Sequence, residues 1–231
     1  MVRNGELRVL KLLSKFDPKC IFDVGANKGE WCQMATTLFP SCTIHAFEIV
    51  PSTYMELIRN TENLENVIPN NFGLSSEEGV ISVSLGSNDK MATGCKIDDM
   101  QFYDEYYNQE IECKTRRASD YLKERAIKSI DFLKVDVEGM DFKVIEGFGD
   151  QIKNVKVVQF EYGIFNIASR HLLTDFYRHF KNNGFVVGKI FPKSVNFFDY
   201  NFDMENFQGS NYLAVKSEEN KLISSLSHFG E

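Results

Sequence analysis

Two groups of residues in this chain have the types and spacing for chemistry. The first is the run Lys134-Val135-Asp136-Val137-Glu138-Gly139-Met140-Asp141, with Glu161 at the end of a later apolar run. Asp136 and Glu138 are two apart, so a strand continuing through them would point both to one face and turn Val135 and Val137 to the core. Acids at adjacent strand ends repel one another unless they meet a cation, a lysine or a substrate hydroxyl. Three uses are open for Asp136, Glu138 and Glu161. One carboxylate could act as general base on an attacking hydroxyl. The group could instead hold a divalent Mg²⁺ or Ca²⁺ that acidifies that hydroxyl. Or the acids could cap a helix opened by Gly139 and pair with Lys134. The general base is favoured, and no metal ligand is assigned. His45 lies within a strand run, and His171 and His179 share a helix, so no histidine competes for the role.

The second group is Asp23-Val24-Gly25-Ala26-Asn27-Lys28-Gly29, followed by Glu48 at the end of His45-Ala46-Phe47. A glycine turn after a strand brings backbone close to a ligand, and a second glycine permits tight packing where the next helix starts. The G-x-x-x-G spacing lacks the second glycine of the dinucleotide fingerprint, which argues against a pyrophosphate cofactor and a nucleotide-dependent dehydrogenase. Asp23 is placed to meet an ammonium group, such as that of a methionine moiety. An acid closing the second strand of such a unit takes ribose hydroxyls, which is the expectation for Glu48. Together they predict a nucleoside-type cofactor.

These residues need elements to hold them. Strands are expected at Ile21–Val24, Thr43–Phe47, Val67–Ile68, Ile130–Val135 and Val155–Phe160. Helices are expected at Leu7–Leu13, Glu30–Phe39, Ser52–Asn60, Met140–Phe148 and Leu172–Asn182. The alternation of strand and helix implies a doubly wound, mostly parallel α/β sheet. Phe185–Phe191 and Tyr212–Lys216 add an antiparallel C-terminal edge. Val80–Leu85 alternates and predicts an antiparallel partner at Ile111–Thr115. The chain reads as a single domain over residues 1–231, with an N-terminal helix within 1–20 and a substrate loop or insertion at 86–110.

At this point the residues resemble the FkbM family of S-adenosylmethionine-dependent methyltransferases. Three blocks carry the resemblance: Phe22 to Gly29; Ala46-Phe47-Glu48 with Pro51 close behind; and Leu133 to Asp141 with Glu146-Gly147. Asn71 to Ser75 with Glu78-Gly79, and Val158 to Glu161, extend it over roughly Ile21 to Tyr162. The resemblance implies a Rossmann-like class I methyltransferase fold and S-adenosylmethionine as cofactor, with S-adenosylhomocysteine as product. Asp23, Gly25, Asn27 and Gly29 would surround the methionine part, with Glu48 at the ribose and Ile49 a further cofactor-binding residue. Phe72 and Gly73 would lie at the adenine. Three departures stand out: Ile49-Val50 separate Glu48 from Pro51, Asp141 stands where the family usually has glutamate, and Asn70-Asn71-Phe72-Gly73 lacks an aspartate for the adenine.

The acceptor is less legible. Phe102 to Tyr107, and Phe197, Phe198, Tyr200 and Phe202, interleave aromatic faces with Asp and Asn, a pattern that suits sugar rings and equally a hairpin core. FkbM-like enzymes commonly methylate hydroxyls of sugars or polyketides. The resemblance therefore implies an O-methyltransferase acting on a sugar or glycan, with a polyketide hydroxyl or a non-catalytic cofactor-binding module as alternatives. The basic cluster Lys114, Arg116 and Arg117 reads as a solvated strand face before an anion site.

A net charge of −7 argues against a nucleic-acid backbone as main partner. No apolar run approaches the roughly 18 residues that cross a bilayer, so membrane insertion is not expected. Five cysteines without a C-x-x-C pair read as free thiols of a reducing, cytoplasmic setting. Oligomeric state is not legible.

Overall fold

The computed structural model describes residues 5–86, 92–95, 107–208 and 211–228, apart from the side chain of residue 108. In chain order the first half holds α1 (Glu6–Leu13), β1 (Cys20–Val24), α2 (Glu30–Leu38), β2 (Thr43–Phe47), α3 (Pro51–Thr61) and β3 (Val67–Asn70). There follow β4 (Gly73–Ser75), β5 (Gly79–Gly86), β6 (Ala92–Thr93), β7 (Tyr107–Arg117) and α4 (Ala118–Glu124). The rest is β8 (Ile130–Val135), α5 (Asp141–Gly147), β9 (Val155–Glu161), α6 (Phe165–Ser169), α7 (Leu173–Asn182), β10 (Phe185–Phe191), β11 (Ser194–Phe198), β12 (Asn211–Lys216) and α8 (Asn220–Ser227).

Eight strands form one sheet in the order β11-β10-β12-β9-β8-β1-β2-β3. The five strands from β9 to β3 are parallel. β12, β10 and β11 close the far edge in antiparallel fashion. This is the expected mostly parallel, doubly wound sheet with an antiparallel C-terminal edge. Both faces are covered because the strands are apolar on both sides. Phe22, Val24, Phe47 and Leu133 pack against Tyr121 of α4, Ile145 of α5 and Phe176 of α7. Ile21, Ile44, Phe132 and Val157 pack against Leu10 of α1, Trp31 of α2 and Leu57 of α3. Each such side chain contributes about 1.5–3 kcal/mol by leaving water.

Strand order reverses direction between β1 and β8, where an open α/β sheet leaves a crevice beyond its strand ends. A second sheet, β4-β7-β5-β6, lies beside that crevice. The expected antiparallel pairing is present, with Val80 opposite Lys114 and Val83 opposite Ile111. Most of the expected 86–110 loop, including Phe102 to Tyr106, lies outside the described residues.

Several expectations shift. α3 starts at Pro51 instead of Ser52, because proline at the first helical position forfeits no hydrogen bond. α5 starts at Asp141, since Glu138 and Gly139 both adopt left-handed backbone, with φ of 51° and 94°. The C-terminal aromatics build the hairpin: Phe198 stacks on Tyr177 at 6.2 Å, and Tyr200 lies 5.8 Å from the same ring. Tyr200 also donates to Glu205, which accepts from the Leu173 and Thr174 backbone N–H groups at the start of α7. Phe202 differs, being 86% exposed. All five cysteines carry free thiols. Among the described residues no helix is long and apolar enough to cross a membrane.

Candidate active site

A pocket opens at the β1–β8 switch point. One wall comes from the main sheet and its turns: Gly25, Asn27, Glu48, Ile49, Asp136 and Glu138. The opposite wall comes from the second sheet and its neighbours, with Gly73, Ile81, Val83, Ala92 and Thr115. Thr53 and Met140 also line it.

The glycine turn is held from two sides. The N–H groups of Gly25 and Ala26 donate to the Phe47 carbonyl at 3.0 and 2.9 Å, tying the turn to β2. Gly25 has φ +83°, and a Cβ there would fall 1.9 Å from the Asp136 carbonyl oxygen. The glycine is thus required by the close approach of the chain leaving β8 as well as by any ligand. Gly29 has φ +86°, and its Cβ would meet Leu57 of α3 at 2.8 Å, the tight packing expected where α2 begins.

Glu48 lies at the end of β2 as expected. Its Oε2 accepts from Asn27 N–H at 2.9 Å, and its Oε1 from Val50 N–H at 2.9 Å. Burial pushes its pKa up, opposed by these two hydrogen bonds. Two backbone donors leave lone pairs on both oxygens, which is what a ribose diol needs.

Asp23 departs from expectation. Its carboxylate is fully buried, accepting from Lys134 Nζ at 3.0 Å and from Cys32 Sγ at 3.2 Å, and it does not line the pocket. The reason is strand parity: Asp23 shares the Ile21 face, covered by α2. Phe72 also departs. It packs on Phe47 and Tyr121 with the Arg116 guanidinium 5.1 Å above its ring, leaving Gly73 and Ile49 to line the pocket. Arg116 is further paired with Glu124, and Arg117 donates to the Ser76 carbonyl, so neither offers a free anion site.

The three carboxylates do converge: one oxygen each from Asp136, Glu138 and Glu161 lies within 4.8 Å of the others, close enough for one cation to ligate all three. The cause differs from simple alternation. β8 ends at Val135, and the left-handed turn at Glu138-Gly139 folds Glu138 back. Thr93 Oγ1 fixes the turn by donating to the Glu138 carbonyl at 2.8 Å. Asp141 clamps the strand ends, accepting from Glu161 N–H at 3.1 Å and Val137 N–H at 3.4 Å. Glu138 and Asp136 line the pocket, whereas Glu161 does not.

Crowding raises the acids' affinity for protons. Burial, then Glu161, Asp136 and Asp141, push Glu138 up to about 8. Burial and Asp136 push Glu161 up to about 7, and Asp141 to about 7. Lys134 shows the opposite balance. Its burial works against the charge, but Asp23 at 3.0 Å and Asp136 at 3.4 Å hold it firmly protonated.

Sequence reasoning missed Lys134 as the partner of Asp23, and it missed the Ile81, Val83 and Thr115 wall. The alternation of Val80–Leu85 signalled a one-sided strand without saying what its inner face covers.

The sequence model for the Methyltransferase FkbM domain matches residues 23–187. The chain is 29% identical over 150 residues to Methyltransferase 1 of Beauveria bassiana, covering 58% of this chain and 60% of that protein. It is 26% identical to 2-O-methyltransferase NoeI of Sinorhizobium fredii, covering 67% of each. With Hexuronic acid methyltransferase AglP of Haloferax volcanii the identity is 26%, over 67% of this chain and 61% of that one. The matches therefore span between 60% and 67% of these relatives' lengths. Among solved structures, the METTL16 MTase domain superposes with a TM-score of 0.52 at 13% identity, covering 90% of this chain and 64% of that one. That likeness fixes the fold as the Rossmann-like fold of class I methyltransferases.

Proposed function

Since the chain belongs to the FkbM methyltransferase family, we propose that it transfers the methyl group of S-adenosylmethionine to a hydroxyl of a sugar or glycan. The observation that carries this reading is the shared pocket: Glu48 and the Gly25 turn line the same cavity as Asp136 and Glu138. One side suits a nucleoside, and the other offers a proton acceptor.

Glu48 would take the ribose hydroxyls, and the backbone of Gly25 and Asn27 would meet the methionine part. Ile49, Ile81 and Val83 would cover the adenine in the place expected for Phe72. The acceptor hydroxyl oxygen attacks the methyl carbon in line with sulfur. The carbon–sulfur bond breaks, and its electron pair stays on sulfur, giving the thioether S-adenosylhomocysteine. Alignment supplies most of the acceleration, because the sulfonium is already activated. The hydroxyl proton passes to Glu138, whose raised pKa makes it the stronger base once ionised. Turnover should accordingly rise with pH through about 8.

A sugar acceptor is supported by the relative that methylates a hexuronic acid, and transfer to oxygen by the relative that is a 2-O-methyltransferase. The hairpin aromatics add little, since Phe198 and Tyr200 are packed internally. The test is incubation with methyl-deuterated S-adenosylmethionine and a panel of neutral sugars, uronic acids and polyketide alcohols, read by mass spectrometry. Label on a sugar hydroxyl is expected. Label only on polyketide alcohols would move the acceptor class, and no label would favour a non-catalytic module. EDTA is expected to leave transfer unchanged. A loss restored by Mg²⁺ would assign Asp136, Glu138 and Glu161 to a cation, as their 4.8 Å spacing permits.

A further inference from the structure

Lys134 joins the buried core to the pocket. It lies on β8 opposite Asp23 of β1 in the parallel register. Its ammonium sits 3.0 Å from Asp23 Oδ1 and 3.4 Å from Asp136 Oδ2, with the Trp31 ring 5.9 Å beneath. Asp23 is wholly enclosed, whereas the Asp136 side chain is 44% exposed and lines the pocket. The Asp136 main chain also abuts Gly25, whose turn lines the pocket. Neither Glu138 nor Glu161 has an ion pair among the described residues.

We propose that Lys134 is a positioning residue that orients Asp136 toward the Gly25 side of the pocket, where Asp136 receives the ammonium of the cofactor's methionine moiety. This rests on the reading of the pocket as an S-adenosylmethionine site. It divides the carboxylates by partner. Asp23 is spent on Lys134 inside the core. Asp136, steadied by the same lysine, presents its outer oxygen to a second cation. Glu138, which has no cation beside it among the described residues, is left to take the acceptor proton. An ammonium so placed meets a carboxylate whose geometry is already fixed, which reduces the ordering cost of binding.

The test compares S-adenosylhomocysteine with 5′-methylthioadenosine, which keeps the nucleoside and sulfur but lacks the amino-acid group. Calorimetric titration of Lys134→Met should show about tenfold or greater weakening for S-adenosylhomocysteine, with 5′-methylthioadenosine within about threefold of wild type. Asp136→Asn should reproduce that selectivity. Because Lys134→Met strands a buried Asp23 carboxylate, Asp23→Asn/Lys134→Met is the companion variant: it removes both buried charges and should show the same selective loss. Equal weakening of both ligands in the folded variants would assign Lys134 a structural role only. Wild-type affinity for S-adenosylhomocysteine in the double variant would likewise overturn the inference. Absence of S-adenosylhomocysteine binding by the wild type would overturn the cofactor reading itself, a different result from either.

Discussion

Glu138→Gln is expected to lower turnover by about 10²- to 10⁴-fold, the usual contribution of a positioned general base, while S-adenosylhomocysteine affinity stays within about threefold. The same substitution should stabilise the protein in alkaline buffer. The Glu138 carboxyl titrates near 4.5 when unperturbed and near 8 in the fold, because burial and the neighbouring carboxylates disfavour its charge. A folded state that binds a proton more tightly than the unfolded chain loses stability as pH rises between those two values. That loss is absent below about 4.5 and complete above about 8. Glutamine does not ionise, so the variant escapes it. The full linkage value is cut by solvent access to the pocket and by local relaxation around the carboxylate, so we expect a gain of about 1 kcal/mol above pH 8, or about 3 °C in Tm for a chain of this size, and no gain at acid pH. Melting curves across pH, beside turnover, check both signs. A variant that is slower and also less stable at high pH would mean that Glu138 is a structural acid.

Gly25→Ala should have the largest effect on the fold around the pocket. Its φ of +83° already strains any residue with a side chain, and the new Cβ would stand 1.9 Å from a backbone oxygen of Asp136. Neither partner can yield easily. Asp136 N–H is bonded to the Val24 carbonyl at 3.0 Å, and Gly25 N–H to the Phe47 carbonyl at 3.0 Å. The left-handed penalty of about 1–2 kcal/mol adds to an overpacking cost of about 1–3 kcal/mol, for a total near 3 kcal/mol. That corresponds to a fall of about 6–12 °C in Tm, accompanied by loss of S-adenosylhomocysteine binding. Gly79→Ala is the control: no atom lies within 4 Å of a Cβ there, and its backbone is not left-handed. It should melt within about 1 °C of wild type. Equal melting temperatures for the two variants would show that the Gly25 turn is freer than its contacts imply.

How far these features are visible in the sequence depends on the range of the interaction. The Gly25 turn, Glu48 and the Asp136–Asp141 run are local patterns, each at a strand end that periodicity locates. A parallel sheet with a switch point also follows from the strand–helix alternation, but which strands flank that switch does not. What is hidden is set by register. Asp23 and Lys134 are 111 residues apart, and only the pairing of β1 with β8 puts the lysine on the aspartate. The sequence alone points Asp23 at the cofactor and allows Lys134 only as a partner for the later acids. Phe72 shows the same limit. An aromatic next to Gly73 suits an adenine, yet α4 brings Tyr121 against it and turns it into core. Strand alternation does not bring Asp136 and Glu138 together, since the strand stops at Val135. Their convergence comes from a left-handed turn that no alternation rule contains.

We propose above all a pocket built for S-adenosylmethionine, with Glu48 at its ribose. Calorimetric titration of the wild type and Glu48→Ala with S-adenosylhomocysteine and with NADH tests it most directly. The expected result is saturable binding of S-adenosylhomocysteine by the wild type, weakened about tenfold or more in Glu48→Ala, and no heat from NADH. Binding of NADH in place of S-adenosylhomocysteine, or an unchanged affinity in Glu48→Ala, would contradict it.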